Sequence, residues 1–301
     1  MEENTATTYK RPPKGFGKVW YILYPILIYF GVTYLVMFVF MVAMAIKIAA
    51  ETPFADDNLM GYASELGTKI AEAATSNVLI IQLIAYVLLA GLFLLLLIRD
   101  VKKRGLFEQK PAKTGILPYV FMFLTVGGYS FFFVALTELT KLYEIFPTMT
   151  STGQAVDESN PIIVILLMCI ITPITEELFF RGMIFKRLRG MMSFVPAAII
   201  SSIIFGLAHV SVPQIIYTGI LAFLWAYIYE KYGSILVTMF CHFVLNTLLM
   251  VFGYVLPNAF DERNTVIIIF IVSGAVFIAG LVPLLISLKK MPAVLHTFPK
   301  P

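Results

Sequence analysis

The sequence is poor in charged residues and in cysteine, and each shortage excludes a class of protein. Only 13% of its 301 residues are charged, whereas about a quarter of the residues are charged in an average soluble domain. It has two cysteines, Cys169 and Cys241, and both lie inside long apolar runs. These features argue against a soluble domain, a disulfide framework and a cysteine metal site, and we expect both thiols to be buried and without a role.

The sequence is instead rich in apolar residues, which make up 59% of the chain and give a mean hydropathy of +0.88. A bilayer core about 30 Å thick takes roughly 20 apolar residues per helix, and eight stretches span it or nearly do so. They run from Trp20 to Ile46, Val78 to Ile98, Pro118 to Leu136, Pro161 to Leu188, Phe194 to His209, Ile215 to Tyr229, Ser234 to Phe252 and Val266 to Leu288. We therefore predict an all-α, polytopic membrane protein that forms a single transmembrane domain over residues 1–301. The polar start and the long first run do not resemble a cleaved signal peptide, so we expect the first run to stay as a helix.

Basic residues predict the orientation of these helices. Lysine and arginine cluster before the first span, after the second, at the end of the fourth and after the eighth. The clusters are Lys10, Arg11, Lys14 and Lys18; Arg99, Lys102, Lys103, Arg104, Lys110 and Lys113; Lys186, Arg187 and Arg189; and Lys289, Lys290 and Lys300. The other loops carry mainly acidic residues, so the positive-inside rule places both termini in the cytoplasm after eight crossings. The net charge of +4 then reflects topology and gives no reason to expect a nucleic-acid partner, while membrane lipids are the expected surroundings.

A few ionisable or amide side chains lie inside the predicted spans. Because such groups are costly at membrane depth, each is a functional candidate. They are Glu176, Glu177 and Arg181 in "TEELFFRG", His209 at the end of "SSIIFGLAH", and His242 and Asn246 in "CHFVLN". His296, the remaining histidine, lies in the polar tail, where we expect it to be solvated.

Helical spacing separates these candidates. Glu177 and Arg181 are four residues apart with the acid first, which favours an intrahelical ion pair, so we interpret them as a structural pair. Glu176 is turned about 100° around the helix and is expected to face a different neighbour with its carboxylate free for chemistry. His242 and Asn246 share one face of the seventh span. Depths counted from the helix ends allow Glu176, His209, His242 and Asn246 to lie at one level.

These four side chains form a plausible hydrolytic set. Glu176 could take a proton from a water held jointly with His209, while His242 and Asn246 donate hydrogen bonds to the oxyanion. Taken singly, each residue has a plainer interpretation. Glu176 could belong to a proton relay, His209 could bond a carbonyl at a helix end, and Asn246 could serve helix packing.

Three motifs in these spans resemble those of a known family. "EELFFR" fits EExxxR, "FGLAH" fits FxxxH and "HFVLN" fits HxxxN, as in the CAAX protease and bacteriocin-processing family of intramembrane glutamate endopeptidases. The resemblance covers about residues 161–252. It implies helices around a water-filled polar cavity open toward the cytoplasm. It also implies that Glu176 and His209 activate water, that His242 and Asn246 stabilise the oxyanion, and that Glu177 and Arg181 support them.

The resemblance also implies a reaction and a location. Members cut near the C-terminus of prenylated proteins or act on membrane-associated peptides, so a peptide or lipidated protein is the expected substrate, and no cofactor is needed. A bacterial plasma membrane is the expected location. One alternative is a zinc-dependent intramembrane protease with His209, His242 and Glu176 as ligands, although no HExxH helix is present. The other is a non-enzymatic membrane scaffold or regulator.

Overall fold

The computed structural model describes residues 13–52, 59–104, 114–146, 160–209, 211–255 and 258–295, which contain helices and no strand. The helices are α1 (Phe16–Glu51), α2 (Leu59–Ser76), α3 (Val78–Arg104), α4 (Leu117–Thr140), α5 (Leu142–Ile145), α6 (Pro161–Met191), α7 (Phe194–Leu207), α8 (Val212–Tyr232), α9 (Ile235–Val255) and α10 (Arg263–Lys290). The prediction of an all-α polytopic membrane protein is confirmed. His296 lies outside the described residues.

All eight predicted apolar stretches form helices. Seven of these helices, all but α7, are long and apolar enough to cross a membrane. Helix α7 has 14 residues and so rises roughly 21 Å, which is less than the bilayer core of about 30 Å. The predicted fifth span is therefore short, as the sequence indicated, whereas α8 extends three residues beyond the predicted sixth span at each end.

The sequence prediction missed helix α2. The sequence analysis places Glu65 and Glu72 in an acidic loop, whereas the structure shows a helix over Leu59–Ser76. In the structure Glu65 forms an ion pair with Lys69 one turn later, at 2.7 Å, and the helix contains four alanines, Ala63, Ala71, Ala73 and Ala74. These are good helix-forming residues, so a segment too polar to span the bilayer still folds as a helix outside the predicted spans.

Helix α6 lies at the centre of the packing and contacts α1, α3, α7, α8 and α9. Its hydrogen bonding changes along its length. Two π-helical segments, Ile165–Ile171 and Leu178–Phe185, flank a short α-helical segment, Thr172–Glu177. Departures of this kind are frequent at functional sites, and here they enclose the two glutamates of "TEELFFRG".

Helices α4 and α10 form a closely packed pair at one side of this centre. Glycine makes the close approach feasible, because a Cβ atom on Gly128 would collide with the backbone of Phe277, and one on Gly280 would lie 2.5 Å from the amide nitrogen of Thr125. Both cysteines are free and buried, as expected. The prediction of a single domain over residues 1–301 stays a prediction.

Candidate active site

The short α-helical segment of α6 presents two adjacent carboxylates to the protein interior. The residue Glu176 is 8% exposed and Glu177 is fully buried. On either side, Thr175 donates a hydrogen bond to the carbonyl of Tyr86 in α3, at 3.0 Å, and Phe179 stacks against Tyr29 in α1, with ring centroids 5.0 Å apart. These contacts hold one side of α6 against α1 and α3. They thereby set the rotation of α6 about its axis, and both carboxylates reach α9.

The expected pair of Glu177 and Arg181 is present. The distance from Nη1 of Arg181 to Oε1 of Glu177 is 3.1 Å, and the arginine is buried. Its guanidinium lies over the rings of Phe205 and Trp225, at 4.7 and 5.1 Å, and donates to the carbonyl of Ala222 at 3.3 Å. Arg181 thereby ties α6 to both α7 and α8.

His242 of α9 lies between the two glutamates. Its Nδ1 is 3.1 Å from Oε1 of Glu177, and its Nε2 is 3.8 Å from Oε2 of Glu176. The two glutamates therefore share one neighbour, because the imidazole has a nitrogen on each side and both glutamate side chains lie close to it. The expectation that Glu176 keeps its carboxylate free for chemistry stays a prediction. Glu177 therefore contacts a candidate catalytic histidine as well as its structural partner.

His209 follows the end of α7 and is half-buried. Its Nδ1 lies 3.0 Å from the carbonyl of Phe205 and 3.4 Å from Oγ1 of Thr218. The ring of Phe205 also lies near both imidazoles, with centroids 5.2 Å from His209 and 6.3 Å from His242. The two histidines therefore occupy one region of the protein, and both lie close to the same aromatic ring.

Asn246 lies one turn after His242 and binds backbone. Its Nδ2 donates to the carbonyl of Met168 at 2.7 Å. In the first π-helical segment the amide of Thr172 bonds to the carbonyl of Leu167, five residues earlier. The next amide in this pattern would bond to Met168, but Pro173 has no N–H, so the carbonyl is free to accept from Asn246. This contact uses one of the two amide protons of Asn246.

The structure thus brings Glu176, Glu177, Arg181 and His242 into one contact network. It places His209 beside this network and Asn246 at its edge, each with a backbone partner of its own. The four predicted catalytic residues lie in one part of the bundle. Over the described part of the chain, only Glu176 and His242 among these four are within ion-pair distance of each other.

Several residues of this region were missed from the sequence. Trp225 packs its indole against His242, with centroids 4.7 Å apart, and Thr218 contacts His209. The hydroxyl groups of Tyr29 and Tyr86 bond to each other at 2.7 Å on the α1 and α3 side of Glu176. These are aromatic or hydroxyl side chains in apolar helices, which sequence alone cannot separate from ordinary packing residues.

The geometry bears on the zinc alternative. Among the described residues, no three His, Cys, Asp or Glu side chains cluster closely enough to hold a metal ion, and a catalytic zinc site usually has three protein ligands. Glu176 and His242 would supply two, and His209 does not join them in a cluster, so the described residues form no three-ligand site in this arrangement. The zinc alternative stays a prediction.

Two grooves lie elsewhere in the bundle, one between α1 and α3 and one between α4, α9 and α10. Neither is lined by residues of the candidate site. Glu176 and His242 are packed among side chains, at 8% and 4% exposure. The polar cavity that the family resemblance implies stays a prediction.

Comparisons with known proteins point to the same part of the chain. The family model for Rce1-like type II CAAX prenyl endopeptidases matches residues 158–248, a range that contains all six candidate residues. The putative membrane peptidase YdiL of Bacillus subtilis is 33% identical over 89 residues, or 30% of this chain and 36% of YdiL. The match thus spans little more than a third of that relative.

A longer match extends beyond the motif region. The membrane-embedded CAAX protease MroQ of Staphylococcus aureus is 30% identical over 202 residues, which cover 63% of this chain and 80% of MroQ. No solved structure matches the chain. The three motifs, the helical membrane fold and a match across most of MroQ together show that this chain belongs to the Rce1-like family of membrane CAAX proteases.

Proposed function

We propose that the protein is an intramembrane endopeptidase in which Glu176 activates a water molecule to attack a peptide carbonyl. The substrate is a peptide or lipidated protein held at the membrane, either a prenylated protein cut near its C-terminus or a membrane-associated peptide. Membership of the Rce1-like family and the names of two bacterial relatives support peptidase activity. The residues in contact with one another support the glutamate mechanism.

The contact of His242 with both glutamates is the observation that carries this proposal. Glu177 is paired with the guanidinium of Arg181, so it acts as a carboxylate that can only accept hydrogen bonds. The proton between Glu177 and His242 must then belong to Nδ1 of the histidine, which leaves Nε2 directed at Glu176, 3.8 Å away. At this distance the two groups form no direct hydrogen bond, but one water molecule can contact both, as general acid–base catalysis requires.

The reaction follows from this arrangement. Glu176 as a carboxylate takes a proton from water while the water oxygen attacks the carbonyl carbon, with His209 as the second group that orients the water. The protonated Nε2 of His242 and the remaining amide proton of Asn246 donate to the oxyanion, and each such donor contributes about 3 kcal/mol in well-studied enzymes. As the intermediate collapses, the departing amine takes the proton from Glu176.

The location of the site supports a membrane-bound substrate. The candidate residues lie in helices α6 and α9 and directly after α7, and these helices form part of a multi-pass membrane protein. We propose a bacterial plasma membrane, in line with the two bacterial relatives, and a cytoplasmic position for both termini, in line with the basic clusters.

The test is cleavage of a panel of quenched fluorescent peptides, prenylated and not, by detergent-purified wild type and Glu176→Gln. This change keeps the size of the side chain and removes the base, so we expect loss of at least 100-fold in kcat. Glu138→Gln is a matched control, since Glu138 is a part-buried carboxylate in helix α4, and it should cleave like wild type. Equal cleavage by wild type and Glu176→Gln would refute the assigned role of Glu176.

The same experiment separates the two alternatives. A chelator is expected to leave cleavage unchanged, whereas loss of cleavage that zinc restores would support the zinc protease and overturn the metal-free mechanism. A non-enzymatic regulator would retain its cellular effect in Glu176→Ala, so a phenotype that survives this change would contradict the proposal.

A further inference from the structure

A groove at the basic end of the bundle lies outside the candidate active site. It has a volume of about 630 Å³ and runs between the start of α1 and the end of α3. Its lining includes Gly17, Trp20, Tyr24, Leu27, Ile28 and Arg99. Lys14 and Lys18 precede or begin the same part of α1, and Lys102 and Lys103 follow Arg99 in α3, all four exposed. The groove therefore opens among positive charges.

The groove changes character along its length. Arg99 is exposed and lies over the ring of Tyr24, with its guanidinium carbon 6.0 Å from the centroid. Leu27 and Ile28 lie one turn further along α1, toward the apolar part of the helix, and Leu27 is 50% exposed. Trp20 and Tyr24 occupy the zone between, where aromatic rings suit the level of lipid headgroups. A ligand that fits must have an anionic end and an apolar end.

Buried contacts hold the aromatic wall of the groove in place. Arg187 bonds to Oδ2 of Asp100 at 2.7 Å and to the hydroxyl of Tyr24 at 2.6 Å, and Tyr21 donates to the same carboxylate oxygen at 3.0 Å. The guanidinium of Arg187 also lies over the rings of Tyr21 and Tyr24, at 4.2 and 4.8 Å. Because these side chains are fixed before any ligand arrives, little conformational entropy is lost on binding.

The charges leave Arg99 available to a ligand. Asp100 neutralises Arg187 in the buried pair. Over the described part of the chain, no carboxylate is within ion-pair distance of Arg99. A guanidinium binds the oxygens of a phosphate through two parallel hydrogen bonds, and basic residues near a membrane surface attract anionic lipids.

We propose that this groove binds one anionic glycerophospholipid, with its phosphate at Arg99 and an acyl chain along Leu27 and Ile28. The bound lipid stabilises the packing of α1 and α3 against α6, because Tyr24 is shared between the groove and Arg187. Arg187 belongs to the same helix as Glu176, so the lipid supports the helix that carries the candidate site. The proposal does not depend on the protease mechanism.

The test is lipid binding to the full chain in neutral detergent, counted by native mass spectrometry during titration with phosphatidylglycerol or phosphatidylcholine. We expect wild type to bind one phosphatidylglycerol at least tenfold more tightly than phosphatidylcholine, and to unfold at a higher temperature with it. Arg99→Gln should lose this preference by roughly tenfold or more. Arg99→Lys keeps the charge but cannot form two parallel hydrogen bonds to a phosphate. We expect it to lose less of the preference for phosphatidylglycerol than Arg99→Gln does.

Two further variants make the test specific. Lys289→Gln removes the same charge from an exposed position in the last turn of α10, outside the groove, and should bind lipid like wild type. Leu27→Trp fills the apolar end without changing any charge, and should weaken binding severalfold. Unchanged phosphatidylglycerol binding in Arg99→Gln or in Leu27→Trp would overturn the proposal, as would equal binding of the two lipids.

A final arm distinguishes a lipid site from a phosphate site. Glycerol 3-phosphate carries the anionic group without acyl chains, so it should not raise the unfolding temperature at millimolar concentration. Stabilisation by glycerol 3-phosphate equal to that by phosphatidylglycerol would show a phosphate site and refute the lipid assignment.

Discussion

Glu177 has two partners with different consequences. Its bond to Arg181 compensates two charges that are fully removed from solvent, and its bond to His242 fixes which imidazole nitrogen carries the proton. The first contact is structural and the second bears on chemistry. Because one carboxylate makes both, a single substitution at Glu177 changes stability and activity together.

A paired substitution separates these two effects. Glu177→Gln leaves Arg181 as an unpaired buried charge and should cost roughly 3–5 kcal/mol of stability. Glu177→Gln combined with Arg181→Met removes both charges, so we expect much of this stability to return. A glutamine side chain can donate to Nδ1 as well as accept from it, so it no longer fixes which imidazole nitrogen faces Glu176 as a donor, and we expect kcat of the double variant to stay roughly 100-fold low.

Thermal unfolding and peptide cleavage on the same preparations measure the two quantities. Full activity in the stable double variant would show that Glu177 and Arg181 are a structural pair alone. A double variant less stable than Glu177→Gln would instead contradict the assumption that the unpaired charge causes the loss.

Among the helices, α6 combines the largest number of departures from regular geometry with the candidate catalytic segment. Its two π-helical segments leave a six-residue α-helical segment between them, which carries both glutamates. Pro173 cannot donate to Met168, and Asn246 of α9 donates instead. The irregular backbone of α6 is therefore matched to a polar side chain on its neighbour.

This matching predicts energetic coupling between Pro173 and Asn246. Asn246→Ala leaves the Met168 carbonyl without its partner and should cost about 1–3 kcal/mol. In a Pro173→Ala background the new amide N–H can donate to the backbone, so the same change should cost less, with a coupling energy of about 1 kcal/mol. Chemical unfolding of the four proteins in detergent measures this cycle.

Asn77 provides the control for the cycle. Its Nδ2 also donates to a carbonyl, that of Ala73 in α2 at 2.8 Å, which is only four residues earlier in the chain. Asn77→Ala should lower the free energy of unfolding by the same amount in wild type and in Pro173→Ala. Additive effects of Pro173→Ala and Asn246→Ala would mean that Asn246 does not replace the missing backbone donor.

The lengths of the helices determine which of them can cross the bilayer and so how many times the chain does so. Seven helices are long enough to span it, and α7 is shorter. Helix α7 packs against α8, and the two are separated by only four residues, Ala208 to Ser211, so they form a tight hairpin. If α7 and α8 both cross the bilayer, the chain crosses it eight times. Both termini then lie on the same side of the membrane.

Reporter fusions test this topology. A C-terminal green fluorescent protein should be fluorescent in a bacterial host, and alkaline phosphatase at the same position should be inactive, because both report a cytoplasmic end. Alkaline phosphatase inserted between α1 and α2 should be active. An active phosphatase at the C-terminus would refute the predicted orientation, and activity at both positions would imply an odd number of crossings.

The class of protein, the position of the apolar helices and the identity of the candidate residues could all be predicted from the sequence. Hydropathy is a local property, and a helix must satisfy its backbone within its own segment in a membrane, so long apolar runs translate directly into helices. Spacing of four residues predicted the contact of Glu177 with Arg181 for the same reason. Helix α2 was not predicted, because its charged residues resemble those of a loop, although its composition favours a helix.

Contacts between side chains of different helices could not be predicted in this way, because they depend on how the helices pack. The angle between Glu176 and Glu177 around α6 indicated separate neighbours, yet His242 contacts both because its two ring nitrogens face opposite ways. The partners of Asn246 and Arg181, and the groove beside Arg99, depend on how α6, α8, α9 and α1 are rotated and how closely they approach. Those quantities result from packing between distant segments, which no local pattern in the sequence records.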